Sequence, residues 1–393
     1  MNKKMYELGS KRSVIRDLFE YGRALAAKVG EDKVYDFSLG NPSIPAPNCV
    51  NDGIRALIEN DATVIHGYTS AVGDAKVRKA ISDYVAREFG FALPASNIYM
   101  TSGAAAALSI TFKALVDDKR DEFVTFAPFF PEYKVFAEAA GGKLNVVKAE
   151  DESFGIDISG LEKLINERTV GVIINSPNNP SGNVYGEDEI ISLSSLLAKK
   201  SEEYGVAIYL IADEPYREVV YDDIKVPYVM NYYDNSIVCY SWSKSMSLAG
   251  ERIGYIAVSP KAKDAEDLFF AVCGAGRALG YVCASSLFQR VCAEGIGQTS
   301  DIAIYKNNRD MLYGKLTELG LTCLYPKGAF YLFVKCPVDS KVFCEKAKEL
   351  GILFVPSESF GVEGWVRIAY CVSPEMLKRS LPVFEELVKA IRK

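Results

Sequence analysis

Apolar residues recur along this chain with two different spacings, and the two alternate. Residues 13–27, SVIRDLFEYGRALAA, carry apolar side chains three and four positions apart behind a serine suited to capping, which predicts an amphipathic helix. The same spacing sets Val77, Ile81, Tyr84 and Val85 on one face of another helix, and residues 104–115 are good helix formers throughout. Between these lie short apolar runs at 98–101, 123–126, 170–174, 206–212, 237–240 and 253–258. A run that is apolar at nearly every position suits a parallel strand covered on both faces. Strands alternating with helices in this way predict an α/β protein built on a mostly parallel sheet. Beyond residue 264 helices dominate, interrupted by a turn and strand at 327–334 and a strand at 364–370, and an amphipathic helix over 375–391 closes the chain.

Open α/β sheets place ligands beyond their strand ends, so the residues that follow each run carry the chemical signal. The run at 98–101 meets Gly103 and a helix of very small residues. Free backbone N–H groups and the helix dipole there form either a phosphate cradle or an ordinary packed βα unit. After 123–126 come Phe129 and Phe130 in a proline-bounded loop, as core residues or as a flat platform for a ring. The run at 170–174 leads into NSPNNPSG, residues 175–182, whose short polar side chains and fixed prolines suit a shaped binding loop. The run at 206–212 ends in Asp213, Glu214, Pro215 and Tyr216. An aspartate at the end of a buried strand costs several kcal/mol unless donors or a cation meet it. The run at 237–240 leads to Ser241, Ser243 and Lys244, with Arg252 eight residues beyond the lysine. Lys244 is either a solvated turn lysine or an amine whose pKa is lowered by burial and nearby positive charge, able then to form a Schiff base. Arg367 interrupts an otherwise apolar strand, where it needs a partner. Gly40, in the Pro- and Gly-rich stretch 36–48, allows an unusual backbone angle or the close approach of a ligand at a crossing between two domains.

Composition narrows the chemistry. A chain of 393 residues has room for about two domains, and a net charge of −6 with no block of like charge speaks against nucleic acid or an anionic membrane as partner. Nine scattered cysteines without a CxxC pair read as free thiols in a reducing compartment; with no apolar leader and no spanning run, the expected location is the cytoplasm. His66 is the one histidine, read as structural, which removes Ser-His-Asp and Cys-His hydrolysis and multi-histidine metal sites; no metal is expected. Residues 273–280 imitate a dinucleotide fingerprint but with the wrong last spacing and no preceding strand.

Taken together, the SxSK segment with Arg252 eight residues after Lys244, the pair Asp213 and Tyr216, the Asn179 loop, Gly103 before its helix and Arg367 resemble the class I and II aminotransferases. These are pyridoxal 5'-phosphate enzymes of fold type I, and the resemblance covers nearly the whole chain. It implies a large cofactor-binding domain over 46–287 and a smaller α/β domain assembled from both chain ends, 1–45 and 288–393. It implies that Lys244 forms the Schiff base with the cofactor and carries the proton, and that Asp213 pairs with the ring nitrogen. Tyr216 and Asn179 would bond the ring hydroxyl, and Phe130, rather than Phe129, would stack on the ring. Gly103, Ala104, Ala105, Ser241, Ser243 and Arg252 would hold the phosphate, with Tyr68 reaching the phosphate of the other subunit in a homodimer. Arg367 would grip the substrate carboxylate, with Gly40 and Asn179 beside it. Two departures stand out: relatives often carry a hydroxyl or amide where this chain has Ala104 and Ala105, so backbone N–H groups alone would serve there, and Ser247 stands where many relatives have glycine. The implied activity moves an amino group between an L-amino acid and a 2-oxo acid in two half-reactions. A C–S β-lyase on the same fold is the alternative, and a non-catalytic cofactor or amino-acid sensor a remote one. By resemblance alone, substrate choice leans to a broad or dicarboxylic range.

Overall fold

The computed structural model describes residues 1–10, 14–60 and 62–392. Ser13, read above as a helix cap, lies outside the described residues; the helix itself runs Val14–Val29, and a shorter one, Lys3–Ser10, precedes it. The strands, in chain order, are β1 (Tyr35–Asp36), β2 (Ile98–Thr101), β3 (Glu122–Phe126), β4 (Lys143–Val147), β5 (Thr169–Asn175), β6 (Tyr209–Asp213), β7 (Ser236–Ser241), β8 (Gly254–Val258), β9 (Cys323–Leu324), β10 (Tyr331–Lys335), β11 (Ile352–Leu353), β12 (Val355–Pro356) and β13 (Trp365–Ala369).

Seven of them form one sheet in the order β2-β8-β7-β6-β5-β3-β4. All pairings are parallel except the two made by β8, which is antiparallel to β2 and to β7. The expected mostly parallel sheet is therefore present, and the runs apolar at every position are its central strands, buried along their length. Successive side chains serve opposite faces. Ile173, Ile211, Ile237 and Ile256 pack with Leu108 and Phe112 of the helix Ala104–Leu115 and with Leu268 and Val272 of the helix Ala265–Leu279. Val172, Leu210, Val238 and Ala257 turn the other way, onto Val77 and Ile81 of the helix Ala75–Phe89 and onto Leu193 and Leu197 of the helix Glu187–Tyr204.

A second core gathers around the four-stranded sheet β12-β13-β10-β9, covered by the helices Ile302–Glu318, Ser340–Glu349 and Pro374–Ile391. The short parallel pair β1 and β11 joins residues 35–36 to 352–353. Strand ends shift slightly from the sequence pattern. The run 206–212 starts pairing only at Tyr209, opposite Gly171, and extends through Asp213, because its neighbour β5 ends at Asn175, level with Asp213. The edge strand β4 is only partly covered, and its mixed run KLNVV gave no apolar signal. Among the described residues, no helix is long and apolar enough to cross a membrane.

Candidate active site

β5, β6 and β7 end side by side at Asn175, Asp213 and Ser241, and all three residues line one cavity of about 520 Å³ at the carboxyl edge of the sheet. That is a volume for a small-molecule ligand. The same cavity is lined by Gly40, Ala104, Ala105, Phe130, Asn179, Tyr216, Ser243, Lys244, Arg252 and Arg367. Of the residues singled out in the sequence, Gly103 sits at the rim against Arg252, and Tyr68 lies elsewhere, 98% exposed on the surface.

One end of the cavity is built for an anion. Gly103 caps the helix Ala104–Leu115 with φ 84 and offers no capping side chain, so the first amides of that helix have no partner within it. A Cβ at Gly103 would lie 2.8 Å from Arg252 Nη2, which is why the arginine can press onto this turn. Arg252 itself holds φ 53, a left-handed conformation uncommon for a residue with a side chain and stored at sites that need it. Its guanidinium donates to Ser243 Oγ at 3.4 Å and to the Ala249 carbonyl at 3.0 Å, and Ser241 and Ser243 share a hydroxyl bond of 2.6 Å. A guanidinium, two hydroxyls and a helix N-terminus thus converge on one spot.

Asp213 is buried at the far end of its strand. Tyr133 Oη donates to its Oδ2 at 2.6 Å, while Oδ1 is buried with no partner in the protein. Burial pushes this carboxyl up to about 7; the Tyr133 bond lowers it and the neighbouring Glu214 raises it further. A buried carboxylate oxygen with nothing to meet it is open to a hydrogen-bond donor or a cation entering the cavity, and a protonated ring nitrogen is both.

Lys244 Nζ donates to the Gly40 carbonyl at 2.6 Å and lies 5.7 Å from the centre of the Phe330 ring. Burial lowers its pKa to about 8, with Arg252 and Arg367 pushing the same way and Cys371 opposing them. At neutral pH about a tenth of this amine is unprotonated, as a nucleophile or base must be. Arg367 is buried in the middle of β13. It donates through Nη1 to Asn179 Oδ1 at 3.0 Å and through Nη2 to the Ser38 carbonyl, while Nε is buried without a partner in the protein. Its Cζ lies over two rings, 4.6 Å from the centre of Tyr331 and 5.2 Å from that of Phe360. A half-satisfied, held guanidinium is a receptor for a carboxylate.

Sequence reasoning passed over several groups here. Asn175 donates to the Asp213 carbonyl at 2.8 Å and accepts from the Asn179 amide at 2.7 Å. Tyr133 and Tyr331 went unread because each acts on a partner far along the chain. Ile15, Arg16 and Phe19 bring the helix Val14–Val29 to the cavity, as Leu39 does from the Gly40 loop. The polar loop 175–182 spends much of its hydrogen bonding on itself, Asn178 Oδ1 accepting from Ser181 N at 3.0 Å and Ser181 Oγ at 2.8 Å. Only Asn175 and Asn179 of that loop face the cavity.

Residues 32–383 match the family model of aminotransferase class I and II. This chain belongs to that family. It is similar to an aspartate aminotransferase of Thermotoga maritima, with 28% identity over 92% of this chain and 93% of the relative. Among solved structures, an amino transferase from Eubacterium rectale superposes with a TM-score of 0.98 at 58% identity, covering 100% of this chain and 99% of that one. The Thermotoga maritima aspartate aminotransferase superposes at 0.87 with 28% identity, covering 99% and 100%. The family's enzymes depend on pyridoxal 5'-phosphate, and this aminotransferase transfers an amino group between an amino acid and a 2-oxo acid with that cofactor. The expected family, fold and reaction class are thereby borne out, and nothing in the relatives favours a lyase or a sensor.

Proposed function

We propose that the cavity holds pyridoxal 5'-phosphate between Phe130 and the strand ends, and that the unpartnered Asp213 Oδ1 is the observation that carries the orientation. Asp213 would meet the ring nitrogen, and Gly103, Ala104, Ala105, Ser241, Ser243 and Arg252, gathered at the other end of the cavity, would hold the phosphate. No side-chain hydroxyl stands at Ala104 or Ala105, so backbone N–H groups serve there. Asn179 already accepts from Arg367 through Oδ1, leaving its NH₂ group, together with the Tyr216 hydroxyl, for the ring oxygen. When bound, the cofactor supplies an electron sink for the charge left at the substrate's α-carbon once its proton is removed. Arg367 takes the substrate carboxylate with the donors it has to spare, and this fixes the α-carbon. Lys244, as the free amine that its lowered pKa allows, would take the α-proton and carry it as the transferring acid-base group. Asp213 keeps the ring nitrogen protonated throughout.

The functional unit is a homodimer in which Tyr68 completes the partner's phosphate site. Support comes from the surface: Tyr68, Phe270, Leu279, Tyr281 and Val282 are all exposed, and the Cys283 amide bonded to the Ala71 carbonyl at 3.4 Å ties the Tyr68 loop to the 281–283 turn. Residues 46–287 make the cofactor-binding domain, with 1–45 and 288–393 as the smaller one, and nine free thiols suit a cytoplasmic setting. Absorbance of the loaded enzyme, followed as each common amino acid is added and products are identified, tests the reading. A keto acid with the cofactor in its amino form supports transamination and names the donor; ammonia with pyruvate would replace it by elimination.

A further inference from the structure

Tyr331 opens β10 opposite Ala369, lines the cavity, and is 2% exposed. Its position is fixed from three sides. Its hydroxyl lies 2.8 Å from the Tyr216 hydroxyl, and its ring carries the Arg367 guanidinium at 4.6 Å. The third contact is with Gly40, where an added Cβ would sit 1.9 Å from Tyr331 Oη. Only a residue without a side chain at position 40 leaves room for this hydroxyl, and the carbonyl of that same residue accepts from Lys244. One tyrosine therefore touches the ring-oxygen partner, the carboxylate receptor and the backbone that holds the lysine.

The two hydroxyls contain two protons, since burial raises both phenols and keeps them neutral. Each hydroxyl donates one bond. If Tyr216 spends its proton on the cofactor's ring oxygen, the bond between the tyrosines must run from Tyr331 to Tyr216. A hydroxyl that accepts while it donates is polarised into a stronger donor. We propose that Tyr331 is a positioning residue of the transamination site: its hydroxyl donates to Tyr216 and commits the Tyr216 proton to the ring oxygen, and its ring is the platform that holds Arg367 for the substrate carboxylate. This rests on the roles given to Tyr216 and Arg367 above.

The test uses the loaded enzyme and the pH titration of the bound cofactor's visible absorbance, with KM and kcat for one amino donor. Removing a donor from an oxygen that carries negative charge raises the pKa at which the chromophore titrates. Tyr331→Phe is expected to shift it upward by about half a unit and to leave KM within about twofold, because the ring stays under Arg367. Tyr331→Leu is expected to raise KM by about tenfold as well, the fold-change that loss of a desolvated cation–π contact gives. Tyr216→Phe should shift the titration too, and adding Tyr331→Phe to it should shift it no further, since the second hydroxyl acts only through the first. A Tyr331→Phe titration that overlays the wild type while Tyr216→Phe is shifted overturns the inference alone. Tyr216→Phe titrating like wild type removes the Tyr216 assignment and the inference with it. An additive double variant, or Tyr331→Leu with KM within twofold of wild type, also overturns it.

Discussion

At the scale of single residues, the site works by setting ionisation states that free side chains would not hold. Lys244 has its ordinary value of 10.5 lowered to about 8 by burial, with Arg252 and Arg367 adding to the effect. Because the shift is downward, the free amine gains with rising pH, reaching half at about 8; at pH 7 it is roughly a tenth, against well under a thousandth for an unshifted lysine. The rate at which the apoprotein captures the cofactor covalently, trapped with borohydride, is therefore expected to climb from pH 6 and level off above about 8. A rate still rising tenfold per unit at pH 9 would mean an unshifted lysine. Arg252→Met, which removes a repelling charge, should move the midpoint upward. Asp213 makes the complementary case, its carboxyl raised to about 7 by burial and its Oδ1 left open to a donor or cation. In Asp213→Ala the rate of α-proton exchange should fall about a thousandfold or more, roughly 4 kcal/mol at 1.36 kcal/mol per tenfold. A rate within tenfold of wild type would take Asp213 out of the proton chemistry. Both residues were legible in the sequence because each is a charge at the end of an apolar run, where physics demands an explanation. Tyr133 and Tyr331 were not legible. They look like any aromatic in an apolar stretch, and the groups they serve lie 80 and 115 residues away along the chain.

At the scale of elements, the strand-to-helix turn at Gly103 shows how much local geometry the cradle needs. The helix after it was readable to its ends, since small residues at 104–107 and Phe112 with Lys113 near its close satisfy every local rule. The turn's need for glycine was not. It arises from φ 84 with ψ 177, which side chains rarely adopt, and from the Arg252 guanidinium arriving from the loop between β7 and β8. Gly103→Ala would cost about 1–3 kcal/mol in backbone strain and would also push Arg252 off the turn, its Cβ being 2.8 Å from Nη2. Cofactor affinity should therefore fall about tenfold or more while the melting point drops by only a few degrees, measured by fluorescence titration and thermal unfolding. Unchanged affinity in a correctly folded variant would mean that the turn takes no part in phosphate binding. Ser247, which the resemblance set apart, holds φ 55 and bonds Ser300 Oγ at 2.8 Å. The chain keeps the left-handed bend of that loop with a serine, so the spacing of Lys244 and Arg252 is unaffected.

At the scale of the whole molecule, Tyr68 is the predicted site residue that its own chain leaves outside the cavity. Tyr68 is 98% exposed, its loop is tied to Cys283 beside the exposed Tyr281 and Val282, and exposed apolar side chains gathered in this way suit a surface that a second molecule covers. A second copy would cover these side chains and bring Tyr68 to the other subunit's phosphate, an arrangement that the family resemblance implied and that no hydrophobic pattern within the chain could have. Hybrid dimers test it. Lys244→Ala should be inactive as a homodimer, and Tyr68→Ala should be strongly impaired through weakened phosphate binding. In a hybrid carrying one chain of each, purified through two different tags, the outcome depends on where Tyr68 acts. If it serves the partner's site, one site collects both lesions and the other is intact, so turnover per dimer should return to about half of wild type. If it serves its own site, each site carries one lesion and the hybrid stays as poor as its parents. Recovery of turnover in the hybrid therefore cannot come from a monomer, nor from a dimer whose sites are each complete within one chain.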